Sequence, residues 1–348
     1  MLGFARTFTG GGATGIEKNI LITTDWSVTG IEYFTYQQVR RGVFSTRNLL
    51  TVDDTDGGIQ EASNDFIVNQ EDGYIYAWTS KGLRVISINK NGAMAFVGRS
   101  TVTPFATGPR ANTIAYDSTT DRVYGLDHSN GVLYSFNVAS PSAPVQVSSV
   151  SVLTNSHIIG LDTVNKGIFI GSNASNQYVN ISNPAAMTTS TLNFGVTDIR
   201  SGVYNSANST LYTADWSSIK TWNVANLGSI TLRDSLSVGL TLDDIVVDFA
   251  TGTGFAVGNG DNRDLVCVNF TDVNNIALYD SITESDVSFG YDGGVAYDPT
   301  NEVVVFFRDT SLRSVDYANP ANLIDFSPAF IPNVNARGPV RFYFPPTV

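Results

Sequence analysis

The chain has 348 residues, with 20 Lys and Arg against 32 Asp and Glu and a formal net charge of −12. That balance opposes phosphates and anionic lipid over the molecule as a whole, so no nucleic acid is expected as a partner of the whole surface. No run approaches the roughly 18 consecutive apolar residues of a membrane span. The polar residues include thirty Asn and only five Lys, and charged residues make up 15%, a composition more familiar from extracellular and viral structural β-proteins than from housekeeping cytosolic ones.

Residues 1–18 read as an arm. Leu2, Phe4 and Phe8 are apolar, and Gly10, Gly11, Gly12 and Gly15 form a hinge behind them. The arm lacks the basic start and long apolar stretch of a secretory leader, and its apolar residues make it a docking element for a partner. Residues 19–348 read as one unit of short strands. Asn19–Thr24, Gly30–Tyr36 and Gly42–Leu50 offer three strands with no inner strand before them. A four-strand group is clearest at Thr113–Asp117, Arg122–Leu126, Val132–Val138 and Val145–Val152, divided by turn formers such as Ser129-Asn130-Gly131. Second strands of the same kind recur at Tyr74–Trp78, Gly167–Gly171, Thr210–Ala214, Gly254–Gly258 and Glu302–Phe307. Gly338–Phe344 supplies one more apolar strand near the C-terminus.

One short phrase, apolar then small polar then apolar, returns seven times. It is centred on Thr35, Ser87, Asn137, Asn180, Asn223, Asn269 and Asp316, at spacings of 52, 50, 43, 43, 46 and 47. A strand-borne period in the forties to about fifty predicts an all-β, seven-bladed β-propeller with four-stranded blades. The surplus strand at one end and the missing inner strand at the other together restore a spacing of 49. The C-terminal strand is therefore expected to join the N-terminal strands as their inner strand and close the ring.

After four of these phrases the chain turns with Asn, Asp or Pro: Asn137-Val138-Ala139-Ser140-Pro141, Asn180-Ile181-Ser182-Asn183-Pro184, Asn223-Val224-Ala225-Asn226 and Asp316-Tyr317-Ala318-Asn319-Pro320. These stretches resemble the LVIVD-type and YVTN-type propeller repeats over residues 65–325, with Asn usually standing where Asp is common. The resemblance implies a propeller and little about activity, since fold does not fix function.

Chemistry-bearing residues concentrate on the loops expected to share one face of the disc: Asp25, Trp26, Arg110, Asp127, His128, Asp215, Trp216, Arg263 and Arg308, with Asp243, Asp244, Asp286 and Asp292 nearby. Trp beside Asp suits a sugar, the indole stacking on its face while the carboxylate accepts its hydroxyl protons. The plainer reading has these Trp packed inward as caps on the blades. Trp222 and the recurring Asn residues read as blade core and strand-end hydrogen-bonders. Cys267, the only cysteine, sits between Val266 and Val268 as a buried small hydrophobe.

No catalytic residue, cofactor or metal is expected. His128 and His157 are the only histidines, too few with one buried Cys for an ordinary zinc site. Asp53-Asp54-Thr55-Asp56-Gly57 misses the register of a calcium loop. No G-x-S-x-G or Walker-type element occurs, nor any GxGxxG in a strand-to-helix context.

The sequence therefore predicts a non-enzymatic interaction subunit whose partners are other protein subunits of a larger assembly. A virion component of bacteriophage type, made in the host cytoplasm, is the favoured instance. The alternative is an extracellular or cell-surface propeller that binds or acts on a glycan through the Asp/Trp face.

Overall fold

The structure, a computed structural model, describes residues 20–25, 30–35, 48–51, 63–90, 92–102, 112–196, 198–259, 264–283, 294–308, 311–326 and 340–344. The arm with Leu2, Phe4 and Phe8, the glycine hinge and the acidic stretch 53–57 lie outside them.

Twenty-eight strands occur among the described residues. The first three are β1 (Ile20–Asp25), β2 (Gly30–Thr35) and β3 (Asn48–Thr51). The next four, β4 (Ser63–Asn69), β5 (Tyr74–Thr79), β6 (Gly82–Ile88) and β7 (Met94–Thr101), form the first contiguous blade. The second holds β8 (Ile114–Asp117), β9 (Arg122–Asp127), β10 (Val132–Asn137) and β11 (Val145–Ser151); the third, β12 (Ser156–Asp162), β13 (Gly167–Ser172), β14 (Asn176–Asn180) and β15 (Thr188–Leu192). The fourth holds β16 (Ser201–Asn205), β17 (Thr210–Ala214), β18 (Ser218–Asn223) and β19 (Thr231–Ser237); the fifth, β20 (Thr241–Asp248), β21 (Thr253–Asn259), β22 (Leu265–Asn269) and β23 (Ala277–Ile282). The sixth holds β24 (Val295–Asp298), β25 (Val303–Arg308), β26 (Ser311–Asp316) and β27 (Ile324–Asp325), and β28 (Val340–Tyr343) follows.

All described pairings are antiparallel, and six blades are built from four consecutive strands each. The blade count is thus six contiguous units, where the sequence spacing had led to seven. The difference lies in a composite sheet of order β28-β1-β2-β3, in which Ile20–Thr23 pair with Val340–Tyr343. The first strand of each contiguous blade touches the first strand of the next, and β28 lies against both β24 and β4.

Burial falls from the axis outward, as expected of sheets covered on both faces near the centre only. The second strands β13 and β17 are buried at every position, whereas the outer strands β11 and β19 are largely exposed. The apolar core lies between neighbouring blades. Trp78, Leu83 and Val85 of the first blade interlock with Ile114, Val123 and Phe136 of the second, and Phe169, Leu192 and Ile199 pack against Leu211 and Trp222 of the fourth. Trp222 is 3% exposed, with its indole N–H on the Thr213 hydroxyl at 2.9 Å, and Cys267 is buried.

Two local devices repeat. Each described third strand from the second blade to the sixth ends in a side-chain oxygen that accepts the N–H two residues on: Asn137 from Ala139, Asn180 from Ser182, Asn223 from Ala225, Asn269 from Thr271 and Asp316 from Ala318. Such turns favour Asn and Asp for this bond. Each inner strand of the six contiguous blades ends the same way, at Asn69, Asp117, Asp162, Asn205, Asp248 and Asp298. Four residues later comes a left-handed residue, respectively Gly73, Asp121, Lys166, Ser209, Gly252 and Glu302, at φ between 50° and 69°. These turns fix one face of the disc and leave the opposite face to the starts of the inner strands.

Candidate functional site

The inner strands begin at the same face as the hairpins that join second to third strands. On β4 and β20 the start is bulged, with register shifts at Ser63/Asp65 and Leu242/Asp244, and a bulge re-aims the side chain it carries. Asp65 and Asp244 are the result. They occupy equivalent places in the first and fifth blades and make equivalent bonds: each accepts the N–H of its successor, and each reaches the next blade. Asp65 accepts from Phe66 and Thr113 at 2.8 Å each, Asp244 from Ile245 at 3.0 Å and Val295 at 3.1 Å.

Arg341, from β28, lies between these two carboxylates. Its guanidinium stands 3.9 Å from Asp65 Oδ1 and 4.0 Å from Asp244 Oδ2, so three separate sheets meet in one charge cluster. Burial pushes the Asp65 carboxyl up to about 6, against the opposing pull of Arg341 and of the two backbone N–H groups. Asp244 also accepts from the Ser201 hydroxyl at 2.8 Å and from Asn112 Nδ2 at 3.3 Å. Asn112, itself left-handed at φ 65°, lies 3.5 Å through the same nitrogen from the Arg200 carbonyl. Asn112 thus ties the second blade to the fourth and fifth across the mouth.

The rim adds a second cation. Arg200 reaches Asp198 at 3.5 Å and Asp243 at 3.4 Å, and its guanidinium carbon lies 4.3 Å from the ring centre of Trp216. Trp216 is 50% exposed, so the indole is not an inward cap. One face carries the cation and much of the ring remains open to solvent. The mouth therefore presents two guanidinium groups and an aromatic surface, with Asp65 and Asp244 buried behind Arg341, a set that suits a small molecule bearing carbonyl or carboxylate oxygens.

Of the residues singled out in the sequence, Trp216 and Asp244 belong to this cluster, and Asp243 joins it through Arg200. Asp127 and Asp215 lie on the same face but hold their own hairpins. Asp127 accepts from the backbone of Ser129 and Asn130; Asp215 accepts from Ser217 and Ser218 and pairs with Lys220. With the Ser218 hydroxyl as a fourth donor at 3.0 Å, Asp215 is a buried turn staple. His128 donates from Nδ1 to the Ser156 carbonyl at 2.8 Å and meets His157 edge-on at 4.9 Å, joining the second and third blades at the same face. Asp25 and Arg308 end β1 and β25; Trp26, Arg110, Arg263, Asp286 and Asp292 lie outside the described residues. Sequence reasoning missed Asp65, Asn112, Asp198, Arg200, Ser201 and Arg341, although the Asp65 and Asp244 stretches share the local pattern Asp-apolar-Ile/Val-Val-Asx.

Among the described residues no group of three or more His, Cys, Asp and Glu is gathered as a metal-ligand set, and no helix is long and apolar enough to cross a membrane.

No protein-family model matches the chain and no curated protein matches it in sequence, so the likeness to LVIVD-type and YVTN-type repeats stays at the level of the repeat pattern. Solved structures do match. A candidate 6-phosphogluconolactonase from Bacteroides fragilis superposes with a TM-score of 0.70 at 10% identity, over 95% of this chain and 99% of its own. The periplasmic gluconolactonase PpgL of Pseudomonas aeruginosa gives 0.70 at 9% identity, over 94% and 99%. A protein of unassigned function from Desulfotomaculum acetoxidans gives 0.69 at 12%, over 95% and 100%. The chain is a β-propeller with four-stranded antiparallel blades. At these identities the likeness carries the fold alone.

Proposed function

We propose that this propeller binds a small polyhydroxylated molecule of the sugar-acid or sugar-lactone class at the mouth formed by Arg341, Asn112, Arg200 and Trp216. The observation that carries this reading is the half-exposed indole of Trp216 with a guanidinium held over it, on the rim of a cluster where Arg341 is bracketed by two buried carboxylates. An indole face matches the C–H face of a sugar ring, and the guanidinium groups match its carboxylate or lactone oxygens. The gluconolactonase names carried by two structural relatives support the same chemical class.

The reading takes the composite sheet as a seventh blade of one ring, because Arg341 comes from it. The expectation of a virion subunit receives no support from the fold or from these relatives.

Calorimetric titration with gluconate and with glucono-δ-lactone tests the proposal. Binding by the intact chain should weaken about tenfold in Trp216→Ala and in Arg341→Ala, the scale of losing one stacking or charge-assisted contact. Absence of binding to both compounds, or binding indifferent to both substitutions, overturns it. Release of acid from the lactone, faster than its spontaneous hydrolysis, would add a catalytic step to the binding role.

A further inference from the structure

The opposite face of the disc carries a second opening, between the fourth and fifth blades, with a cavity volume of about 410 Å³. Its wall is aromatic: Tyr212 meets Phe270 edge-on at 5.0 Å and lies 5.7 Å from Phe249. Its rim is polar, with Asn208, Thr271 and Asp272 among the lining residues.

The blades act as internal controls on one another. Phe249 follows the last residue of its inner strand, a position that the other contiguous blades fill with Gln70, Ser118, Thr163, Ser206 and Pro299. The turn beneath needs no aromatic there: Asp248 holds it by accepting from the Ala250 N–H at 3.0 Å and the Thr251 hydroxyl at 2.8 Å. Phe249 is nonetheless 43% exposed, its ring set against Tyr212 with much of its surface open to solvent. Asp272 departs likewise. The turn after the third strand carries Ser140, Asn183, Asn226 and Asn319 at that place in the blades from the second on, and only the fifth has a carboxylate. Its Oδ1 serves Asn274; Oδ2 enters none of the described hydrogen bonds. Two departures from the repeat, one aromatic and one acidic, thus fall on one cavity.

We infer that this cavity is a binding site for a single neutral pyranose unit, seated on Phe249 with its hydroxyls on Asp272 and Asn208. The lining includes one carboxylate and no Lys or Arg, which disfavours an anion, and the volume falls in the ordinary range for a small-ligand pocket. An aromatic face with a carboxylate and amide at its edge is the donor and acceptor set that a ring with axial and equatorial hydroxyls requires. The site is independent of the mouth on the other face and takes a different, uncharged ligand.

The test is titration of the full chain with the methyl glycosides of glucose, galactose, mannose and N-acetylglucosamine, followed by ligand-observed NMR and calorimetry. At least one should bind at millimolar concentration. Phe249→Ser installs the residue found in two sister blades, so the turn is kept, and it should weaken binding about tenfold, the scale of one lost stacking contact. Asp272→Asn, again a sister-blade residue, should weaken it several-fold, and Trp216→Ala should leave it unchanged. Binding of none of the four glycosides overturns the inference. So does binding that survives Phe249→Ser in a variant with an unaltered melting temperature, and so does binding lost in Trp216→Ala alone, which would assign the sugar to the other face.

Discussion

Gly125 is the seat of Trp78. A Cβ at residue 125 would stand 2.6 Å from the indole ring, and the indole N–H crosses to the Leu126 carbonyl at 2.9 Å. A glycine in the second blade is therefore what lets the largest side chain of the first blade lie flat between them, fully buried. Trp78→Ala should cost about 3–5 kcal/mol through lost burial and the cavity left behind. Gly125→Ala should cost about 1–3 kcal/mol by overpacking. The double variant should be less destabilised than the sum, because the alanine methyl enters space the indole has vacated. Urea midpoints of the four proteins decide it; strict additivity would mean the two residues do not share that space.

Asp65 gives the ring a pH dependence of defined sign. Its folded carboxyl holds a proton up to about 6, above the ordinary value of 3.8, so the folded state binds that proton more tightly than the unfolded chain. The associated stability is full below the unfolded value and is lost as pH rises through the folded one. Between about pH 4 and pH 7 the intact protein should lose on the order of 3 kcal/mol relative to Asp65→Asn, which cannot charge. Denaturant midpoints of the pair at several pH values provide the check, and parallel pH profiles would refute the assignment.

Cys267 should be inert. It is buried on both sides in β22, and burial pushes its thiol up to about 12, whereas the thiolate is the reactive species. A disulfide-exchange reagent at neutral pH should label it only at the rate of unfolding, rising with denaturant. Fast labelling of native protein would show that β22 is open.

Gln70 should control the fit of the last strand. Its side chain donates to the Phe342 carbonyl at 2.7 Å and accepts the Phe344 N–H at 2.9 Å, clamping β28 from the first blade. Gln70→Ala should remove about 1–2 kcal/mol, and amide exchange in β28 should quicken before that of the contiguous blades. Unchanged protection at Phe342 and Phe344 would show that pairing with β1 alone secures the strand.

The repeat was legible because its determinants are local. Asn137, Asn180, Asn223, Asn269 and Asp316 each bond a backbone group two residues away, so the turn chemistry is written next to the residue that performs it. The Asx turns at Asp117 and Asp162, with left-handed Asp121 and Lys166 behind them, are equally local and could have been read as a second marker. The mouth was legible only in part. Trp216 stands out as an aromatic in a polar loop, but Arg341 acquires its meaning from Asp65 and Asp244, distant in the sequence and brought near only by closure of the disc. Asp127 and Asp215 misled for the opposite reason: a carboxylate in a hairpin satisfies its own backbone first, and nothing in composition separates that duty from ligand binding. The pairing of the C-terminal strand with the N-terminal ones was legible in the spacing of 49 that the two ends restore together, and the order β28-β1-β2-β3 is that sheet; the blade count differs because the contiguous units number six and the remaining four-stranded sheet is composite.

That composite sheet also sets an order of events during synthesis. The six contiguous blades are complete in the nascent chain before Val340–Tyr343 leaves the ribosome, while β1 waits with an unpaired edge and Gln70 with neither of its bonds to Phe342 and Phe344. A strand edge left open for that interval invites pairing with another nascent copy. The charge cluster is assembled at the same point, since Arg341 arrives on the strand that pairs with β1, and a chain arrested before residue 341 has Asp65 and Asp244 without the cation between them.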